Sequence, residues 1–266
     1  MLKPRLLFLL LIGLSGWLSQ AVAAPVAPKP APERPAYFEL KVYHLKTARQ
    51  EALVDSFLQR QYLPAMHGAG VSTIGVFKPV GNDTAADRRI YVCTPYASLR
   101  QWEQLQKTAA PQLVAAGGAY ENVAHNQPAY ARLETIFLQS FPEMTSLRAP
   151  KLETAKSERV YELRSYEGAS EKLFQNKVKM FNAGGEIKLF DRLGFNGIFY
   201  GAVLFGAHMP NLMYMTAFAN QAAREAHWKA FGADPEWKKL SALPEYQNNV
   251  SHIDITFLHP AAYSDL

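Results

Sequence analysis

The stretch YELRSY, Tyr161 to Tyr166, alternates Tyr161, Leu163 and Ser165 with Glu162, Arg164 and Tyr166. A period of two marks a β-strand, whose successive side chains point to opposite faces. Nearly the same pattern stands earlier as FELKVY, Phe38 to Tyr43, and Glu39 and Glu162 are 123 residues apart. The spacing from Tyr43 to Tyr166 is identical, and Tyr91 in RIYVCT lies 123 residues before Tyr214 in LMYMTAF. Pro111 and Pro235 are separated by 124, and the terminal FLQSFP and FLHP segments by 120. Landmarks kept in near register over half a chain indicate duplication.

Each copy follows one order of elements. An opening strand leads to a helix, TARQEALVDSFLQRQYL with Leu53, Phe57 and Leu58 at helical spacing, or SEKLFQNKVKMF with Ser170 as its cap. Two strands follow, then a helix holding Trp102 or Trp228, a short helix opened by a proline, and a closing strand. This β-α-β-β-α-β succession predicts an α+β chain of two ferredoxin-like units, residues 37–142 and 158–266, joined by a linker at 143–157.

The first residues belong to neither unit. MLKPR followed by an apolar run from Leu6 to Leu18 and by AVAA is read as a signal peptide over residues 1–23, cut before Ala24. The apolar run is shorter than the roughly 20 residues of a spanning helix. No stable membrane anchor is expected after cleavage, and the chain is expected to be exported, to a periplasm or beyond the cell. Residues 24–36 hold five prolines and form a stiff spacer. The whole chain has 28 basic and 23 acidic residues, a net charge of +5, which falls to +3 without Lys3 and Arg5. The basic residues are scattered among acids, so no nucleic-acid partner is expected. Cys93 is the single cysteine and forms no internal disulfide.

The paired openings, with NAGGEIKLFDRLGF, MPNLMYM and HWKAFGADPEW, resemble the secreted bacterial branch of the NIPSNAP family in a tandem two-domain form. The resemblance spans almost all of residues 37–266. It implies a dimeric α+β-barrel fold, two four-stranded antiparallel sheets facing one another with helices outside. The halves close on each other or on a second copy, as a homodimer. It implies no particular reaction.

In such a barrel the expected arrangement places Phe38, Leu40, Val42, Tyr161, Leu163 and Ser165 under the helices. The candidate binding residues Glu39, Lys41, Tyr43, Glu162, Arg164 and Tyr166 then face the barrel interior, joined from the third strands by Tyr91, Tyr214, Thr216 and Cys93. Ile90, Val92, Met213 and Met215 are expected on the helix side. The inward set has two readings: an ion-pair network that registers the halves, or the polar end of a small-molecule pocket. Glu186 in GGEIKLF is read as a helix-capping carboxylate or as a buried acid, and His227 as a helix-surface histidine or a pocket residue.

The seven histidines stand singly, without HxH or HExxH, so no metal site is expected from their spacing. No P-loop, GxGxxG or GxSxG occurs, and no cofactor is expected. Three functional classes remain: binding of a small, partly apolar organic molecule between the halves; a cofactor-independent monooxygenase- or isomerase-like enzyme using Glu162, Arg164 and Tyr214; and a protein-interaction module.

Overall fold

The computed structural model describes residues 36–266. The leader and nearly all of the proline-rich spacer therefore lie outside the described residues. In each half a sheet is laid down in the order fourth, first, third, second. The first half contributes β1 (Tyr37–Leu45), β2 (Gly75–Pro79), β3 (Arg88–Tyr96) and β4 (Arg132–Ser140). The second contributes β5 (Val160–Glu167), β6 (Asn196–Phe205), β7 (Asn211–Phe218) and β8 (His252–Pro260). β2 then pairs with β8 and β4 with β6, so the two sheets join edge to edge into one closed antiparallel barrel. Closure removes every unpaired strand edge. The expected pair of facing sheets is thus one continuous surface, closed within a single chain.

Helices cover the outside. In the first half, Thr47 caps α1 (Ala48–Phe57) by accepting from the Gln50 amide. A wider π-helical turn, Leu58–Tyr62, carries the chain into α2 (Leu63–Gly68). Ser98 caps α3 (Leu99–Ala115), whose helical course runs through Pro111. The separate proline-led helix expected there does not form, because the one amide bond that Pro111 forgoes is lost in an exposed last turn. In the second half, Ser170 caps α4 (Glu171–Phe181), followed by α5 (Glu186–Arg192), α6 (Gln221–Ala233) capped by Asn220, and α7 (Pro235–Ser241), opened by its proline as expected.

Three apolar clusters result. One lies between the first sheet and α1–α3, another between the second sheet and α4–α7. The third is the barrel interior, to which all eight strands contribute and no helix does. Phe38, Leu40, Val42, Tyr161 and Leu163 belong to it, as do Phe77, Phe199, Met213 and Met215.

This arrangement inverts the expected faces of the opening strands. Phe38, Leu40, Val42, Tyr161, Leu163 and Ser165 point into the barrel, and Glu39, Lys41, Tyr43, Glu162, Arg164 and Tyr166 point to the helices. The physical reason is that both faces of each sheet are covered, so alternation separates two sets without saying which is inner. The third strands split. Ile90 and Val92 lie on the helix side and Tyr91 and Cys93 inside, as expected, but Met213 and Met215 are inside and Tyr214 and Thr216 outside. Tyr91 pairs with Val42, whereas Tyr214 pairs with Arg164. The equivalent of Tyr214 is Val92, 122 residues earlier, and a one-residue slip sends a side chain to the opposite face.

One end of the barrel is plugged. Ala36, Leu147, Leu152 and the terminal Leu266 pack against the interior cluster there, so the 143–157 linker is part of the packed structure. The other end opens on polar side chains, with a cavity of about 360 Å3 lined by Val42, Arg89, Tyr91, Ser165, Asn211 and Asp254 among others.

Candidate functional site

Each half builds a polar centre between its sheet and its helices, around the carboxylate at the second alternating position of its opening strand. In the second half that carboxylate is Glu162, fully buried. Arg224, one turn into α6, donates from Nε to Oε2 at 2.8 Å and from Nη2 to Oε1 at 2.9 Å. Arg164 donates from Nε to Oε1 at 2.6 Å, and the Trp228 indole N–H to Oε2 at 2.8 Å. Arg164 also donates to the Tyr166 hydroxyl at 2.9 Å, which lies 2.9 Å from that of Tyr214. Burial alone would raise the Glu162 pKa, but the bonds and charges of Arg224 and Arg164 and the bond from Trp228 outweigh it and hold the carboxyl below the usual range.

Around this network the space is filled. Phe190 stacks on Phe231 at 4.9 Å between ring centres, and Tyr200 on Tyr214 at 5.6 Å. Glu186 is buried in an ion pair with Lys177 at 2.8 Å, so its carboxylate serves that lysine. His227 sits half-buried on α6, its Nδ1 2.6 Å from the Ala223 carbonyl, with its ring against Phe195 and Phe218. It takes no part in the Glu162 network. Thr216 is buried, with no hydrogen-bond partner for its hydroxyl among the described residues.

The first half keeps the carboxylate and changes what surrounds it. Glu39 accepts from the Tyr96 hydroxyl at 2.9 Å and lies 3.6 Å from the Lys41 ammonium. Lys41 takes the strand position of Arg164, and its ammonium sits 5.4 Å from the Tyr62 ring centre. The Tyr62 and Thr94 hydroxyls are 2.9 Å apart. Burial pushes the phenols of Tyr43, Tyr62, Tyr96 and Tyr120 above their usual range, so all four remain protonated and present O–H groups.

Counting from the caps Ser98 and Asn220, Gln106 stands where the second half has Trp228, and Ala109 where it has Phe231. By strand register, Val92 replaces Tyr214 and Val76 replaces Tyr200. Four large aromatic rings thus give way to smaller groups. What remains is a cleft of about 200 Å3 with Lys41, Tyr43, Tyr62, Tyr96 and Tyr120 on its polar side and Phe57, Met66, Leu105, Ala109 and Leu113 on its apolar side.

The expected inward cluster is therefore divided three ways. Lys41 and Tyr43 line this cleft, with Glu39 buried against Lys41 and Tyr96; Glu162, Arg164, Tyr166 and Tyr214 form the filled network; Tyr91 lies at the open end of the barrel, 3.4 Å from Arg89 Nη1. Tyr62, Tyr96, Tyr120, Arg224 and Trp228 escaped the sequence reading. The pair Arg224 and Trp228, four residues apart on one helix face, was the available signal for the last two.

The NIPSNAP family model matches residues 161–265, from β5 to the C-terminal tail. This half is a NIPSNAP domain. The barrel that the NIPSNAP domain completes is similar to three solved structures. A candidate monooxygenase from Lactobacillus acidophilus is 15% identical with a TM-score of 0.53, over 85% of this chain and 94% of its own. A candidate monooxygenase from Fusobacterium nucleatum is 7% identical with a TM-score of 0.52, over 85% and 92%. An anthrone oxidase-like protein is 9% identical with a TM-score of 0.51, over 85% and 91%. At these identities the likeness is one of fold. No curated protein matches the chain in sequence.

Proposed function

We propose that this exported NIPSNAP-domain protein binds a small aromatic molecule in the cleft between the first sheet and α1–α3. The observation that carries the reading is the asymmetry of the duplication. The two halves share a buried carboxylate, yet among the described residues only the first leaves a hollow beside its polar partners, lined by Gln106 and Ala109 where the second half has the rings of Trp228 and Phe231. The site moves from the barrel interior, where apolar side chains from eight strands leave the middle packed, to the outer face of one sheet.

The chemistry of the lining sets the ligand class. Apolar walls favour a ring, and a few convergent polar groups orient it. Lys41 and the phenols supply donors suited to a hydroxyl or carboxylate on that ring. The volume is below the roughly 300–1,000 Å3 of sites for drug-sized ligands, so the occupant is of about one ring.

The test is calorimetric titration of the full chain with 4-hydroxybenzoate, catechol and benzoate, beside mass spectrometry of small molecules retained through purification. Saturable one-to-one binding of a ring bearing a polar group is the expected result. Titrations that show no heat with any of these probes, on a preparation free of retained ligand, would overturn the reading. Incubation of any bound phenol with dissolved oxygen, followed by product analysis, decides whether binding extends to oxidation.

A further inference from the structure

The rim of the open barrel end carries four metal-capable side chains that the cleft does not use. Glu167 is the last residue of β5, and it pairs in register with His252 at the start of β8. Asp254 lies two residues on, on the same inward face. The donor atoms of Glu167, His252 and Asp254 all lie within 4.8 Å of one another. His208, from the loop between β6 and β7, approaches from a third direction, with Nδ1 2.9 Å from Glu167 Oε1. His252 Nε2 is 3.1 Å from Asp254 Oδ1.

From this constellation we infer that the rim binds one divalent first-row transition ion through Glu167, His208, His252 and Asp254. Two imidazoles and two carboxylates form a mixed nitrogen and oxygen set that suits Zn2+ or Mn2+. The two carboxylates bring negative charge that a dication neutralises. Metal bonds of about 2.0–2.2 Å place neighbouring donors roughly 3–3.5 Å apart. Glu167, His252 and Asp254 need to close by only about 1–2 Å from their present spacing, and His208, already against Glu167, is the fourth donor, brought in with it. The exposed His252 and Asp254 and the half-buried Glu167 reach that by rotamer adjustment, exchanging the imidazole–carboxylate contacts for metal bonds.

Placement adds a use for the ion. His208 and Asp254 also line the 360 Å3 cavity at this end, together with Ser165, Asn211 and Arg89. An ion held on the rim faces that cavity, and Mn2+, which takes six ligands, would keep positions beyond the four side chains for a small oxygen ligand within it. The spacing of histidines along the chain does not show this site, because its donors come from three separate segments.

The experiment is isothermal titration of untagged, chelator-treated full chain with Zn2+ and separately with Mn2+, supported by the visible absorption of the Co2+ form. One ion per chain is expected, with the Co2+ spectrum reporting nitrogen and oxygen ligands. The double variant His252→Ala/Asp254→Ala, and separately Glu167→Gln, should each weaken binding at least tenfold while circular dichroism stays unchanged. His67→Ala, at a histidine far along the barrel, should bind as the wild type does. Absence of binding by both ions overturns the inference. So does a double variant that binds as tightly as the wild type, since the ion would then sit elsewhere.

Discussion

The guanidinium of Arg164 lies 3.9 Å from the ring centre of Trp228, and both residues donate a hydrogen bond to Glu162. The strand and α6 are thereby locked through a cation–π contact and a shared acceptor, with Arg224 closing the set.

The first prediction follows from that sharing. Arg164→Leu should destabilise the chain by about 3–5 kcal/mol, the scale for breaking a buried pair. A double variant that also carries Glu162→Leu should recover only part of the loss, because Arg224 and the Trp228 N–H are then left without their acceptor. Chemical denaturation of the three proteins checks this. A double variant as stable as the wild type would contradict the shared role of Glu162.

Acid should expose the same network. The Glu162 pKa is held below its unfolded value, so its contribution is fully present above the ordinary glutamate pKa of about 4.3 and is lost as pH falls through the lower folded value. Glu51, bonded by Lys78 and Arg88, is also lowered and acts in the same direction. The stability gap between the wild type and Glu162→Gln should therefore be steady at neutral pH and narrow below about pH 4. A gap that stays constant down to the acid transition would refute the assignment.

Refilling the first cleft offers a test of the proposed function that leaves the sheet alone. Gln106→Trp with Ala109→Phe copies the second half. The variant should fold and should lose the aromatic probe, because the added rings occupy the ligand's volume. Lys41→Met should weaken binding of the carboxylate probe more than that of catechol. Unchanged affinity in the refilled variant would show that the probe binds elsewhere.

Cys93 should be unreactive in the native protein. Its side chain faces the packed interior, and burial pushes the thiol up to about 12, leaving almost no thiolate near neutral pH. Labelling with a chromogenic disulfide reagent should be slow in native buffer and complete in denaturant. Rapid stoichiometric labelling of folded protein would mean that the interior opens.

The β4–β6 seam should be sensitive to one glycine. A Cβ on Gly201 would stand 2.9 Å from the Gln139 backbone oxygen and 3.2 Å from the Leu138 Cβ. Gly201→Val should lower the melting temperature, by a destabilisation of about 1–3 kcal/mol as in other overpacked sites. Gly232→Ala, where an added Cβ meets nothing, should be neutral or slightly stabilising. Equal melting temperatures for the two variants would remove the seam from the argument.

Much of the architecture was legible in the residues themselves. The alternation in YELRSY and FELKVY marks strands, the cap Ser170 begins a helix where local hydrogen bonding favours it, and the near-constant offsets reveal two units of one plan. Local periodicity and turn chemistry suffice for these, because they depend on neighbours along the chain. The face of each strand was not legible. Glu39 and Glu162 alternate with apolar residues in either arrangement, and a sheet covered on both sides gives burial to both sets. Only closure of β2 on β8 and β4 on β6 sends Phe38, Leu40 and Tyr161 inward and turns the carboxylates toward the helix side, where Tyr96 at the end of β3 bonds Glu39, and Arg224 and Trp228 of α6 bond Glu162. The slip between Tyr91 and Tyr214 has the same origin: sequence offset aligns residue types, whereas hydrogen-bond register decides facing, and a shift of one residue reverses it. The open cleft likewise exists only in three dimensions, where Gln106 and Ala109 on a helix come to lie beside Lys41 and Tyr43 of a strand and leave room, whereas Trp228 and Phe231 at the matching helix positions pack into the aromatic cluster of the other half.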